Sequence, residues 1–158
     1  MATKNQIGLD KGKSKSLADG LNNLLSDYMM FYQNTRGLHW NIKGEKFFEL
    51  HLKFEELYTN LLLKVDEVAE RILTFGATPL HTFDDYKSTA KIKSVKNLSD
   101  GKQGVQAILG AFEIIIVSQR ELLNFSADAN DEGTNALMSD YIREQEKLVW
   151  MYSSYLNK

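Results

Sequence analysis

Apolar residues recur at three- and four-residue intervals along most of this chain. From Ser16, whose hydroxyl suits a helix N-cap, the stripe runs Leu17, Leu21, Leu24, Tyr28, Phe31 or Tyr32, and Leu38, the spacing of an amphipathic helix. Asn41 to Gly44 interrupts it as a tight connection, with Gly44 easing the backbone. A second stripe, Phe47, Leu50, Phe54, Leu57, Leu61, Val65, Val68 and Ile72, predicts a helix from Glu45 to Phe75. Gly76 just past its last turn and Pro79 beyond are stop signals. Residues 77–98 read as a long connection holding a short helix near Asp84–Ala90. A third helix is predicted from Ser99 to Phe125, with the apolar run Ala111–Val117. A fourth starts at Asn130–Gly133, with Leu137, Tyr141, Leu148, Trp150, Met151 and Tyr155 as apolar positions. The pattern predicts an all-α fold, a four-helix bundle with a long crossover between the second and third helices. Residues 1–15 are polar, carry Lys4, Lys11, Lys13 and Lys15, and read as a mobile tail ahead of one domain over residues 16–158.

Composition narrows the function classes. A chain of 158 residues has length for one sizeable core. Its net charge of −2 gives no bulk attraction for nucleic acid or anionic lipid. It contains no cysteine, which excludes disulfides, thiolate metal sites, iron–sulfur clusters and thiol nucleophiles and fits a cytoplasmic protein. The N-terminal residues lack the apolar region of a secretory signal, and no apolar run reaches membrane-span length.

The chemistry concentrates in one stretch. Two of the three histidines, His39 and His51, lie there, followed by Glu55, Asp66 and Glu70 on the predicted second helix. Imidazole and carboxylate together suit iron, manganese or zinc. By helical angle His51, Glu55, Asp66 and Glu70 share roughly one face. At a rise of about 1.5 Å per residue, however, His51 and Asp66 stand roughly 22 Å apart along the helix. One chain cannot bring them to a single ion, but two antiparallel copies related by a two-fold axis can, and would form two equivalent sites. The sequence contains no Glu-x-x-His motif, the usual signature of a di-iron site inside one bundle.

The motifs H-W-N-I-K-G at 39–44, F-F-x-L-H at 47–51 and D-E-V-A-E-R at 66–71 resemble those of the Dps family, ferritin-like mini-ferritins that consume ferrous iron with peroxide and protect DNA. The resemblance runs from Leu17 to Leu156. It implies a ferritin-like bundle assembled as a hollow shell of twelve subunits that stores ferric mineral. It also implies a ferroxidase site between two-fold-related subunits, with His39 and His51 from one and Asp66 and Glu70 from the other, and Trp40 beside the iron. Zinc or manganese would be able to substitute for iron. Many relatives carry aspartate where this chain has Glu55, so the role of Glu55 is left open. Asp131 and Asp140 are the carboxylates expected at acidic pores for iron entry. The lysines of the tail leave DNA contact, and a place on the nucleoid, open. The competing reading is a DNA-packing or structural shell protein whose metal site is incidental or inactive.

Overall fold

The computed structural model describes residues 3–158, which form five helices: α1 (Lys11–Asn41), α2 (Phe47–Thr74), α3 (Phe83–Thr89), α4 (Gly101–Asp128) and α5 (Glu132–Tyr155). The fold class and the crossover are as the pattern predicts, with α3 as its short helix. Local chemistry sets the boundaries. Asp10, Asp100 and Asp131 cap α1, α4 and α5 by accepting the backbone N–H of Lys13, Gln103 and Thr134, donors that an isolated helix leaves unpaired. Gly76 ends α2 in the left-handed region, φ +81°, where a Cβ would be strained.

The start of α1 differs from expectation. Asp10, not Ser16, is its cap, so Lys11, Lys13 and Lys15 lie in the first turns of a helix rather than in a tail. The residues before it fold back on the helix. Asn5 Oδ1 accepts from the N–H groups of Ile7 and Leu9, Asn5 Nδ2 donates to Ser14, and the backbones of Lys4 and Asp10 pair as an isolated antiparallel β-bridge. Met1 and Ala2 lie outside the described residues.

α1 and α2 form one antiparallel hairpin and α4 and α5 another, and α1 packs on α4. The crossover is strapped lengthwise along α1. Asn22 bonds Thr78 and Leu80, the Asp27 carboxylate accepts the N–H groups of Lys91 and Ile92, and Asn34 bonds Lys93 and Val95. Lys43 N–H then donates to Ser99 O at 3.0 Å. The strap delivers Gly101 beside Leu50, Ile42 and Tyr155, so α4 starts where α1 ends and runs antiparallel to it.

The core is continuous through the bundle, with Leu21, Tyr28 and Phe31 of α1, Phe54, Leu61 and Ile72 of α2, Ile108 and Phe112 of α4 and Met138 of α5 all buried. Truncating one such side chain, for example Leu61→Ala, removes about 2–5 kcal/mol. Two of the apolar positions of the last helix, Trp150 and Met151, are exposed. So are five large apolar residues of α2, Phe48, Leu52, Leu62, Leu63 and Leu73.

Candidate metal centre

His39 lies in the last turn of α1 and His51 in the second turn of α2, so the short connection between these helices brings them together. Their rings stack with centroids 3.8 Å apart and 13° between planes. Each ring is held by the other residue's backbone: His39 Nδ1 lies 2.6 Å from His51 O, and His51 Nδ1 lies 2.7 Å from His39 O. A carbonyl has no proton to give, so both Nδ1 atoms donate. That fixes both imidazoles as the Nδ1–H tautomer, with the Nε2 lone pairs free for a metal.

The partner carbonyls are available for a stated reason. His39 O is among the last four carbonyls of α1, which have no intrahelical donor. Its would-be donor, Lys43 N–H, is taken by Ser99 O. Two aromatic rings complete the clamp, Phe47 stacked on His51 at 4.9 Å and Tyr58 edge-on to His39 at 5.3 Å. Sequence reasoning did not single out Tyr58, although its place seven residues after His51, two helical turns on, is the signal that points to it.

The carboxylates stand apart from this pair. Glu55, Asp66 and Glu70 are all exposed on α2. Glu55 sits one turn beyond His51 on the same face, whereas Asp66 and Glu70 lie far down the helix. Among the described residues, no three His, Asp or Glu side chains of one chain converge on a point that would hold a metal. The chain therefore presents two partial donor sets at opposite ends of one exposed face, and the apolar Phe48, Leu52, Leu62, Leu63 and Leu73 lie on that face between and around them.

Trp40 is 57% exposed, its ring under the Arg36 guanidinium at 4.8 Å. Arg36 also covers Tyr32 and Tyr58 and donates to the Tyr32 hydroxyl at 3.1 Å. His81, in the crossover, is exposed with Nδ1 on Pro79 O.

Asp131 does not face solvent as a pore residue would. It is 2% exposed, caps α5, and accepts from Arg71 Nη2 at 2.5 Å, while Arg71 Nε donates to Thr134. Arg71 follows Glu70 directly in sequence, so this ion pair fastens the carboxylate-bearing end of α2 to the start of α5. Asp140 is exposed and pairs with Arg143 at 2.9 Å. Of the lysines near the N-terminus, Lys13 is tied to Asp128 O and Lys15 to Asp19. No helix among the described residues is long and apolar enough to cross a membrane.

Comparison with known proteins agrees with this architecture. Residues 18–158 match the ferritin-like domain. The crystal structure of a Dps protein from Vibrio cholerae O1, described as a member of a broad superfamily of ferritin-like diiron-carboxylate proteins, superposes with a TM-score of 0.96 at 55% identity, covering 99% of this chain and 98% of that one. An uncharacterised protein of Haemophilus influenzae is 53% identical over 96% of this chain and 95% of its own length. The DNA protection during starvation protein of Porphyromonas gingivalis is 38% identical over 96% of this chain and 95% of its own length. With its bundle, its strapped crossover and its paired histidines, the chain belongs to the Dps family of ferritin-like proteins.

Proposed function

We propose that this protein oxidises ferrous iron with hydrogen peroxide at sites shared by two-fold-related subunits and stores the ferric product inside a shell of twelve, protecting DNA from oxidative damage. Iron is the substrate and cargo. The observation that carries the reading is the reciprocal bonding of His39 and His51, which leaves two Nε2 lone pairs ready for a cation. Two further features support it. The exposed apolar stripe on α2 calls for a covering partner, and an antiparallel copy of α2 would set Asp66 and Glu70 opposite the histidines. Homo-oligomerisation and iron binding fit the ferritin-like relatives.

Imidazole nitrogen and hard carboxylate oxygens suit both iron oxidation states, and the carboxylates favour the ferric product. Peroxide needs two electrons, so oxidising two ferrous ions together avoids release of hydroxyl radical. His39 and His51 keep the metal-facing nitrogens in place, and Asp66 and Glu70 supply negative charge. Glu55, one turn from His51, is positioned to extend the donor set. Protons compete for the same Nε2 atoms, so acidification weakens ferrous binding. The folded N-terminal segment, with Lys13 and Lys15 already engaged, offers little as a flexible arm for DNA.

Complementation tests the shared site. Neither His51→Ala nor Asp66→Ala shells should form ferric core above the rate of protein-free buffer. Shells reassembled from equal amounts of both chains should regain activity at about a quarter of their sites, because half of the pairs are mixed and each mixed pair holds one intact site. Well-assembled mixed shells with no recovered activity would overturn a site built across the two-fold axis.

A further inference from the structure

The outer face of α1 holds a cleft close to the metal centre. A cavity of about 420 Å³ lies between α1 and α3, walled by Met29, Met30, Tyr32 and Arg36 on one side and by Tyr86 and Lys87 on the other. A cavity of roughly 150 Å³ already takes a benzene ring, so a phenyl group fits here. Methionine adapts its shape to such an occupant and contacts aromatic rings favourably. Phe83 stands at the lip of the cavity, 83% exposed. It is the first residue of α3, a position where nothing in helix formation asks for phenylalanine.

The charged groups around the cavity are left open. Inside the bundle, the Tyr28 hydroxyl, Gln119 and Gln145 satisfy one another in a closed ring. Outside it, Arg36 donates once, to the Tyr32 hydroxyl, and otherwise lies over the rings of Tyr32, Trp40 and Tyr58. Among the described residues, none of Arg36, Asp84 and Lys87 has an ion-pair partner. Asp84 and Lys87 are exposed, in the first and last turns of α3. The helix dipole favours that order of charges, but it accounts for neither Phe83 nor the unpaired Arg36. A patch with a protruding ring, a cavity that fits it and open charges of both signs is complementary to itself. Self-complementarity is what a two-fold contact requires.

The shared metal centre sets where such an axis would run. An antiparallel copy of α2 that brings Asp66 and Glu70 opposite His51 crosses it midway, between Tyr58 and Leu61. Because the site also takes His39 from α1, the contact spans both helices, and its axis runs across them at this level. Tyr58 stands edge-on to Tyr32 at 6.0 Å, and Arg36 lies over its ring at 5.9 Å. The wall of the cavity is therefore level with the axis, and the cavity meets its own copy.

Building on the proposed sharing of the metal centre, we infer that α3 completes the two-fold contact. Phe83 of each subunit seats in the cavity between α1 and α3 of the other, and Asp84 of each meets Lys87 of the other. The docked ring then packs beside Arg36 and Tyr32, which hold Tyr58, and Tyr58 lies against His39 at 5.3 Å. Docking of α3 thereby braces the histidine side of the site.

The chain has no cysteine, so an introduced pair reports the contact without background. Shells assembled from equal amounts of Asp84→Cys and Lys87→Cys chains are oxidised mildly and run on a non-reducing gel. Covalent dimers are expected from the mixed pairs, about half of all pairs, and far fewer from either chain alone. Both positions are exposed, so the substitutions leave folding intact. Asp84→Lys should lower the urea concentration that separates the subunits, and Asp84→Lys/Lys87→Asp should restore it. Phe83→Ala should lower it further, since two buried rings are lost per dimer. Thiols that stay free in shells that oxidise iron normally overturn the docking of α3 and leave the ferroxidase reading standing. A double exchange no better than the single reversal overturns the Asp84–Lys87 pairing. Covalent dimers in shells that oxidise iron no faster than buffer keep the contact and remove the ferroxidase reading, and a chain that sediments as a monomer removes both.

Discussion

Replacing Asp131 by alanine removes two interactions at once, and the structure sizes each. The α5 cap accepted from Thr134 N–H is worth about 1 kcal/mol. The charged hydrogen bond from Arg71 is worth about 1.5–3 kcal/mol, and the lower half applies because Arg71 is 19% exposed and recovers some hydration. Against these stands the second carboxylate oxygen, Oδ2, which is buried without a partner and whose desolvation disappears with the side chain. The net expectation is a loss of about 2–3 kcal/mol for Asp131→Ala. Asp131→Asn keeps a capping oxygen and loses the charge, for about 1 kcal/mol. Urea denaturation at fixed protomer concentration checks both, since association contributes to apparent stability. Iron uptake by intact Asp131→Asn shells should match wild type, because a buried ion pair is not a channel wall. An alanine variant within about 0.5 kcal/mol of wild type would refute the sizing, and slowed iron entry in well-folded asparagine shells would refute the location.

Three further outcomes follow from the same geometry. A Cβ at Gly133 would come within 2.6 Å of Arg71 Nη2, so Gly133→Ala should destabilise wild type but cost nothing further in an Arg71→Ala background, a coupling that a double-mutant cycle in urea reads directly. Burial raises the Asp27 carboxyl above its ordinary value despite two backbone donors. Its ionised form is therefore the disfavoured one, and its contribution to stability is fully present below the ordinary carboxylate pKa and lost as pH rises through the raised one. Asp27→Asn should accordingly gain on wild type near neutrality and lose that advantage in acid, as thermal unfolding at the two pH values would show. Leu63 is 62% exposed on the α2 stripe, and Leu63→Glu should weaken the two-fold pairing and abolish ferrous oxidation together. Sedimentation showing intact shells with no activity, or separated subunits with full activity, would break that link.

The helices were legible because their signals are local. Gly76 and Pro79 close α2 within a few residues of where a chain reader places the end, and the apolar stripe of α1 is what the core uses. The first turns of α1 were missed because lysine is polar yet a good helix former, and because the bonds of Asn5 that fold the segment back cannot be read from polarity. The same limit decided the site. His39 and His51 lie twelve residues apart and their pairing followed from the turn between them, while the separation of Asp66 and Glu70 from His51 followed from the rise of α2. Asp131 looked like one of several acids near a helix start. Its true partner, Arg71, is sixty residues away, and no local pattern announces it. The strap, Tyr58 beside His39 and the buried ring of Tyr28, Gln119 and Gln145 are likewise products of tertiary packing.

The strap also sets an order of events in time. Its anchors on α1 join residues 56, 64 and 61 positions apart, whereas each helical hairpin closes through a short turn. Folding slows as contacting residues become more distant in sequence, so the hairpins form first and the strap docks late. Until it docks, the antiparallel approach of α4 to α1 is unset, and the surfaces that must meet other copies are not yet in register. Assembly of the proposed shell should then be limited by a slow step inside each chain, at a rate that raising the protein concentration does not change.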